Sequence, residues 1–299
     1  MVDAGSHPDF HLVYKELARY HEEKRIRDSV MQDLGIDVIR SFLIAPAYRS
    51  GSRGRGKVFV VLEAELMSRD AQNALLKTLE EPPPLTTIIL IAERAEEMLP
   101  TTLSRCSIVR FGPLPRDFVV GRLVEKNIAK QEAQFWAAFT DGSLGRALEL
   151  ADRGMYPVKC DMIQRLAELG PAGAADLGAH LAKVMEKLAD QEVAAVQQAE
   201  GAALSKTLAS RKAAAAMLQL IAGAVHDALA LKSGAAMPVV HADQPDAIQA
   251  LARRFEPAQL AQIIEQLSEY EELLWRNVNP KIVWDNVVIT CASAAPLGI

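Results

Sequence analysis

Two unbroken apolar runs mark the first third of the chain, Val58-Phe59-Val60-Val61-Leu62 and Ile88-Ile89-Leu90-Ile91. Runs without polar alternation suit strands of a parallel sheet covered on both faces. Between them the apolar period changes: Ala71, Ala74, Leu75 and Leu79 fall on one helical face. Ser68 stands where an N-cap belongs, and Pro82-Pro83-Pro84 ends the helix. Strand, helix and strand in about 35 residues predict a βαβ unit with a right-handed crossover. Phe10 to Tyr14 predicts a further strand, Ile36, Ile39 and Leu43 a helix, and Ile108 to Phe111 a fourth strand.

After Pro113 the strand signal stops. Phe118, Val119, Leu123 and Val124, then Phe135, Trp136 and Phe139, then Ala147, Leu148 and Leu150 describe three short helices. Gly142 suits the position just past one of them and Ser143 the N-cap of the next. From about residue 157 the chain is rich in Ala and Leu, with long helical periods over 158–200, 203–232, 245–274 and 281–293. Asn277 and Asn279-Pro280 predict a helix stop and restart. The fold class is therefore α/β followed by all-α.

Composition narrows the function classes. The chain has 299 residues, half of them hydrophobic and 24% charged, which fits folded domains and not general disorder. Lys and Arg number 33 against 38 Asp and Glu, a formal net charge of −5. That balance argues against a broad nucleic-acid-binding surface and leaves room for a local basic strip. Three widely spaced cysteines, Cys106, Cys160 and Cys291, form neither a disulfide framework nor a four-thiolate zinc site. With no signal core and no long unbroken apolar run, the expected location is cytoplasmic.

Gly51-Ser-Arg-Gly-Arg-Gly56-Lys57 matches the G-x-x-x-x-G-K spacing of a phosphate loop. Such a loop needs a following helix N-terminus and a Ser or Thr beside the Lys. Here Val58 takes that place and the segment runs into a strand, so it reads as a basic turn. The apolar strand ending at Leu62-Glu63 has the form of a Walker B strand, whose terminal Asp holds magnesium. Leu62 occupies the metal-ligand position and cannot coordinate an ion, which leaves Glu63 a solvated carboxylate at a strand end. His180, His226 and His241 have no partners at metal-ligand spacing, so no metal site is expected.

Ala71-Gln-Asn-Ala-Leu-Leu-Lys-Thr-Leu-Glu-Glu-Pro-Pro83, followed by Leu99-Pro-Thr-Thr-Leu-Ser-Arg-Cys106, resembles the AAA+ module of bacterial DNA polymerase III clamp-loader subunits. His7-Pro8-Asp9, Asp141-Gly-Ser-Leu-Gly-Arg-Ala-Leu148 and Asn277-Val-Asn-Pro-Lys281 are similar to that family's strand entry, lid motif and final collar stretch. The resemblance implies a partial AAA+ parallel-sheet domain over 1–112, a helical lid over 113–156 and a helical collar over 157–299. The family's leading segment, with its phosphate loop, would precede residue 1.

Departures from the family pattern point to one subunit type. ATP-hydrolysing gamma-type chains carry a Walker B Asp, a polar sensor and a lid Arg where this sequence has Leu62, Ala92-Glu93 and Gly145. Arg146 is one residue off, about a hundred degrees around the helix. Delta prime subunits resemble this pattern, and they keep the Ser104-Arg105-Cys106 motif. In the family that arginine enters the neighbouring subunit's ATP site. A guanidinium suits the task because it is always charged and bridges two phosphate oxygens. Supplied in trans, such a group is worth about 10³–10⁵ in related phosphoryl transfers.

The resemblance thus implies a non-catalytic subunit of the polymerase III holoenzyme, a nucleotidyltransferase by complex membership, with no cofactor of its own. Its partners would be gamma/tau and delta subunits, with the sliding clamp and primed DNA reached through the complex and no membrane involved. Cys106 is expected to pack as a small apolar residue. The alternative is a gamma/tau-like ATPase whose phosphate loop lies upstream of the given start.

Overall fold

A computed structural model describes residues 7–23, 26, 33–49, 56–170, 173–200, 204–235, 239–276 and 278–292. The chain divides into two compact units, Met1–Phe111 and Gly112–Ile299.

In the first unit β1 (Phe10–Val13), β2 (Lys57–Val61) and β3 (Thr86–Leu90) form a parallel sheet in that order. Phe59 stands opposite His11 and Ile88, and Val61 opposite Val13 and Leu90. Helix α1 starts at Ile36–Ile39 and continues through a wider π-type turn, Arg40–Ile44, and a last turn, Ala45–Ala47. Helix α2 (Arg69–Glu80) is the predicted crossover, and the Ser68 hydroxyl caps it by accepting from the Ala71 amide at 3.2 Å. Helix α3 (Pro100–Leu103) is a single turn opened by proline.

Helices α1 and α2 pack on the sheet face formed by Val13, Phe59 and Val61, and these make one core with Ile39, Leu43, Ala71 and Leu75. The opposite face is open: Leu12 is 42% and Ile89 44% exposed. The apolar runs suit strands covered on both faces, and among the described residues no element lies over this one. Ile108 to Phe111 is not a strand among the described residues either. The segment is exposed, with no ladder partner, and apolar composition alone does not make a strand without a neighbour to pair with.

The second unit is helical. Helices α4 (Arg116–Glu125), α5 (Lys130–Phe139) and α6 (Leu144–Asp152) are the three predicted short ones. Asp141 and Gly142 both take left-handed backbone after α5, so the glycine sits one residue past the expected stop. Ser143 precedes α6 but its side chain makes no cap hydrogen bond. The long periods are cut into α7 (Met155–Ala167), α8 (Ala174–Glu200), α9 (Lys206–Lys232), α10 (Pro245–Arg254), α11 (Pro257–Trp275) and α12 (Pro280–Ala292). Both unforeseen breaks carry a proline signal, Gly170-Pro171 and Glu256-Pro257, and proline cannot continue a helix from within. At the restart Asn279 caps α12, its side-chain oxygen accepting from the Lys281 amide at 3.0 Å. Asn277 lies outside the described residues.

Helix α9 is the axis of this unit, packed against α7, α8, α10, α11 and α12. It is long and apolar enough to cross a membrane by length and composition, yet 61% of its apolar window is buried by the chain itself. Small residues allow that density: Ala209, Ala213, Ala214, Ala224 and Ala228 are fully buried. Trp136 and Trp284 are buried in the same core, while Trp275 is half exposed.

Candidate functional site

Arg105 follows α3 by two residues, on a turn whose amides bond back to Thr102 and Leu103 (Arg105 N to Thr102 O 3.1 Å, Cys106 N to Leu103 O 3.1 Å). The turn is short and exposed, so its position depends on what anchors α3. Gln72 of α2 supplies the anchor. Its side-chain oxygen accepts from the Leu99 amide at 2.8 Å and the Thr102 hydroxyl at 3.2 Å, and its nitrogen donates to the Met67 carbonyl at 3.0 Å. Gln72 is 2% and Thr102 0% exposed, so the bonds form a dry bolt between α2 and α3.

The guanidinium is held at its side. Nε and Nη2 both donate to Glu80 Oε2, at 3.4 and 3.3 Å, and Nη1 donates to the Thr101 carbonyl at 3.0 Å. Ser104 donates its hydroxyl to that same carbonyl at 3.1 Å. Cys106 is partly buried, and burial pushes its thiol pKa up, which keeps it neutral at ordinary pH. Arg105 and Cys106 border a cleft of about 680 Å³ along β3, with Val109 and Phe111 on its wall.

Leu62 and Glu63 lie just past β2. Leu62 donates its amide to the Val13 carbonyl at 2.9 Å, and Glu63 takes left-handed backbone (φ 49°, ψ 47°) and pairs with Lys15 at 3.1 Å. No group of three His, Cys, Asp or Glu side chains among the described residues is placed to hold a metal ion. Lys57 is buried in β2, and its ammonium donates to the carbonyls of Pro46, Ala47 and Arg49 at the end of α1. It neutralises a helix C-terminus. Residues 51–55 of the G-x-x-x-x-G-K stretch lie outside the described residues.

Gly145 and Arg146 sit in the first turn of α6. Arg146 donates to the Gln219 side-chain oxygen and lies 6.0 Å over the Phe139 ring, both within its own unit. The site residues thus fall into separate places: Arg105 with its motif neighbours on one turn, Leu62 and Glu63 past a strand, and Gly145 and Arg146 in the second unit. Gln72 and Glu80 were missed in the sequence. For Gln72 a signal existed, since it falls on the same helical face as Leu75 and Leu79, where a buried polar residue must find partners.

A family model described as "DNA polymerase III, delta subunit" matches residues 1–115, and one described as "DNA polymerase III, delta subunit, C terminal" matches 181–291. The chain is 28% identical to DNA polymerase III subunit delta' of Escherichia coli over 276 residues, covering 92% of this chain and 70% of that protein. It is 29% identical to the delta' subunit of Bacillus subtilis over 150 residues, half of this chain and 41% of that one. Among solved structures, a gamma subunit-related protein of Thermotoga maritima is similar at 19% identity with a TM-score of 0.44, covering 96% of this chain and 84% of that one. Delta-subunit models match both its α/β and its late helical parts and delta' relatives match along its length, so the chain is similar to bacterial DNA polymerase III clamp-loader subunits of the delta prime type.

Proposed function

We propose that this chain is a delta prime-like clamp-loader subunit that hydrolyses no nucleotide itself and lends Arg105 to the ATP site of a neighbouring gamma/tau subunit. In that role it helps place the sliding clamp on primed DNA in the cytoplasm. The observation that carries the reading is the state of Arg105. Its turn is bolted to α2 through Gln72, its guanidinium is oriented, and two of its five N–H groups keep no partner among the described residues. A planar cation fixed in that way matches what phosphate recognition in trans requires. Residues 1–112 would present the finger, 113–156 would act as the lid, and 157–299 would form a collar against neighbouring subunits. Leu62 at the metal-ligand position, Glu63 paired with Lys15, and Arg146 paired with Gln219 support the absence of turnover by the chain alone. Mixing the purified chain with gamma/tau and delta subunits tests this. It should co-elute with them on size-exclusion chromatography and show no magnesium-dependent ATP turnover before mixing. Turnover by the isolated chain, or failure to co-elute, would refute the proposal.

A further inference from the structure

Glu80 is the last residue of α2, and Glu81 follows it at the helix end, where the macrodipole disfavours negative charge. Helix stability gives no reason for an acid there. Its side chain instead reaches Arg105, 25 residues on, and one oxygen takes both N–H groups of the guanidinium's side edge, Nε and Nη2. The Thr101 carbonyl takes one N–H of Nη1. Three of the five donors are thereby used inside the chain, and one on each terminal nitrogen remains. Two N–H groups on adjacent nitrogens are what a bidentate phosphate contact uses.

We propose that Glu80 is a positioning residue for Arg105: it holds the side edge of the guanidinium so that the remaining donors meet a neighbour's phosphate oxygens already ordered. The inference rests on the reading that Arg105 acts in trans and adds how the finger is aimed. A free arginine side chain loses much rotamer freedom when it docks, and a carboxylate that orders it beforehand removes part of that loss from the reaction step. The carboxylate and the arginine stand on α2 and on the turn after α3, the two elements that Gln72 ties together. Glu80 does not compete with phosphate in this geometry, because it occupies a different edge of the guanidinium.

The experiment uses the complex reconstituted with gamma/tau and delta subunits, each variant first shown to enter it by size-exclusion chromatography. Glu80 is exposed, so Glu80→Ala and Glu80→Gln leave the core untouched. Steady-state ATP turnover should show kcat lowered about two- to fivefold for Glu80→Ala, the range an exposed ion pair supports, with KM unchanged. Glu80→Gln keeps a neutral acceptor and should fall between wild type and Glu80→Ala. In the Arg105→Ala background Glu80→Ala should add nothing. Unchanged or raised kcat in Glu80→Ala while Arg105→Ala is impaired overturns this inference and leaves the finger standing. A Glu80→Ala defect that persists in the Arg105→Ala background also overturns it. No defect in Arg105→Ala overturns the finger reading itself.

Discussion

Replacing Gln72 by alanine removes the bolt between α2 and α3 without touching any surface group. Three polar partners lose their bonds at once: the Leu99 amide, the Thr102 hydroxyl and the Met67 carbonyl. Each buried polar group left unpaired costs about 1–3 kcal/mol. Thr102 is 0% and Met67 3% exposed, so two of the three stay dry, whereas Leu99 is only partly buried and water can reach it. For the two dry groups the sum is about 2–6 kcal/mol, a large share of the roughly 5–15 kcal/mol that holds a domain folded. All three tryptophans lie in residues 112–299, outside the unit that holds Gln72. Hydrogen exchange on the full chain is the proper readout. Peptides spanning α2 and residues 99–106 should exchange about 30-fold faster or more, at about 1.4 kcal/mol per factor of ten. Exchange within about threefold of wild type in both segments would refute the bolt.

Three further outcomes follow from particular residues. Lys159 is fully buried, pairs with Asp243 and lies 4.0 Å from the Phe135 ring centroid, so Lys159→Ala strands a buried carboxylate. Urea unfolding followed by tryptophan fluorescence should show a loss of about 3–5 kcal/mol, and a loss under about 1 kcal/mol would contradict this assignment. At Gly142, with φ +79°, an added Cβ would stand 2.5 Å from the Leu114 carbonyl oxygen, so Gly142→Ala should lower the same unfolding midpoint while Gly145→Ala, with open space around it, should not. Burial, with the charge of Lys57, lowers the His11 pKa below 6.5 against the opposing pull of Asp9. The unfolded chain then takes up its proton first, so stability is fully present above about pH 6.5 and declines as pH falls toward the folded-state value. In His11→Phe the loss of stability between about pH 7.5 and about pH 5.5, measured by circular dichroism in urea, should be smaller than in wild type. An equal loss would exclude His11 as its source.

The elements legible in the sequence are those whose information is local. The runs at Val58–Leu62 and Ile88–Ile91, the Ser68 cap and the Pro82–Pro84 stop each state their structure within one turn or one strand, and the structure agrees. Ile108–Phe111 has the same composition as a strand, but a strand is defined by its neighbour, which a local reading does not contain. The helix ends at Ala167 and Arg254 were readable from the prolines that follow, Pro171 and Pro257, and were masked by the Ala/Leu period on either side. Arg105 was singled out through its motif. Its supports were not, since Gln72 and Glu80 meet their partners 25 to 30 residues away and only the fold brings them together. The Lys159–Asp243 pair, 84 residues apart, was hidden for the same reason.

The central claim is that Arg105 acts on a nucleotide held by another subunit. Single-turnover ATP hydrolysis in the gamma/tau–delta complex, reconstituted with either wild type or Arg105→Ala at equal occupancy, measures this most directly. The account predicts that the variant assembles normally and that the hydrolysis step slows by about tenfold or more. Equal rates in the two complexes would contradict it.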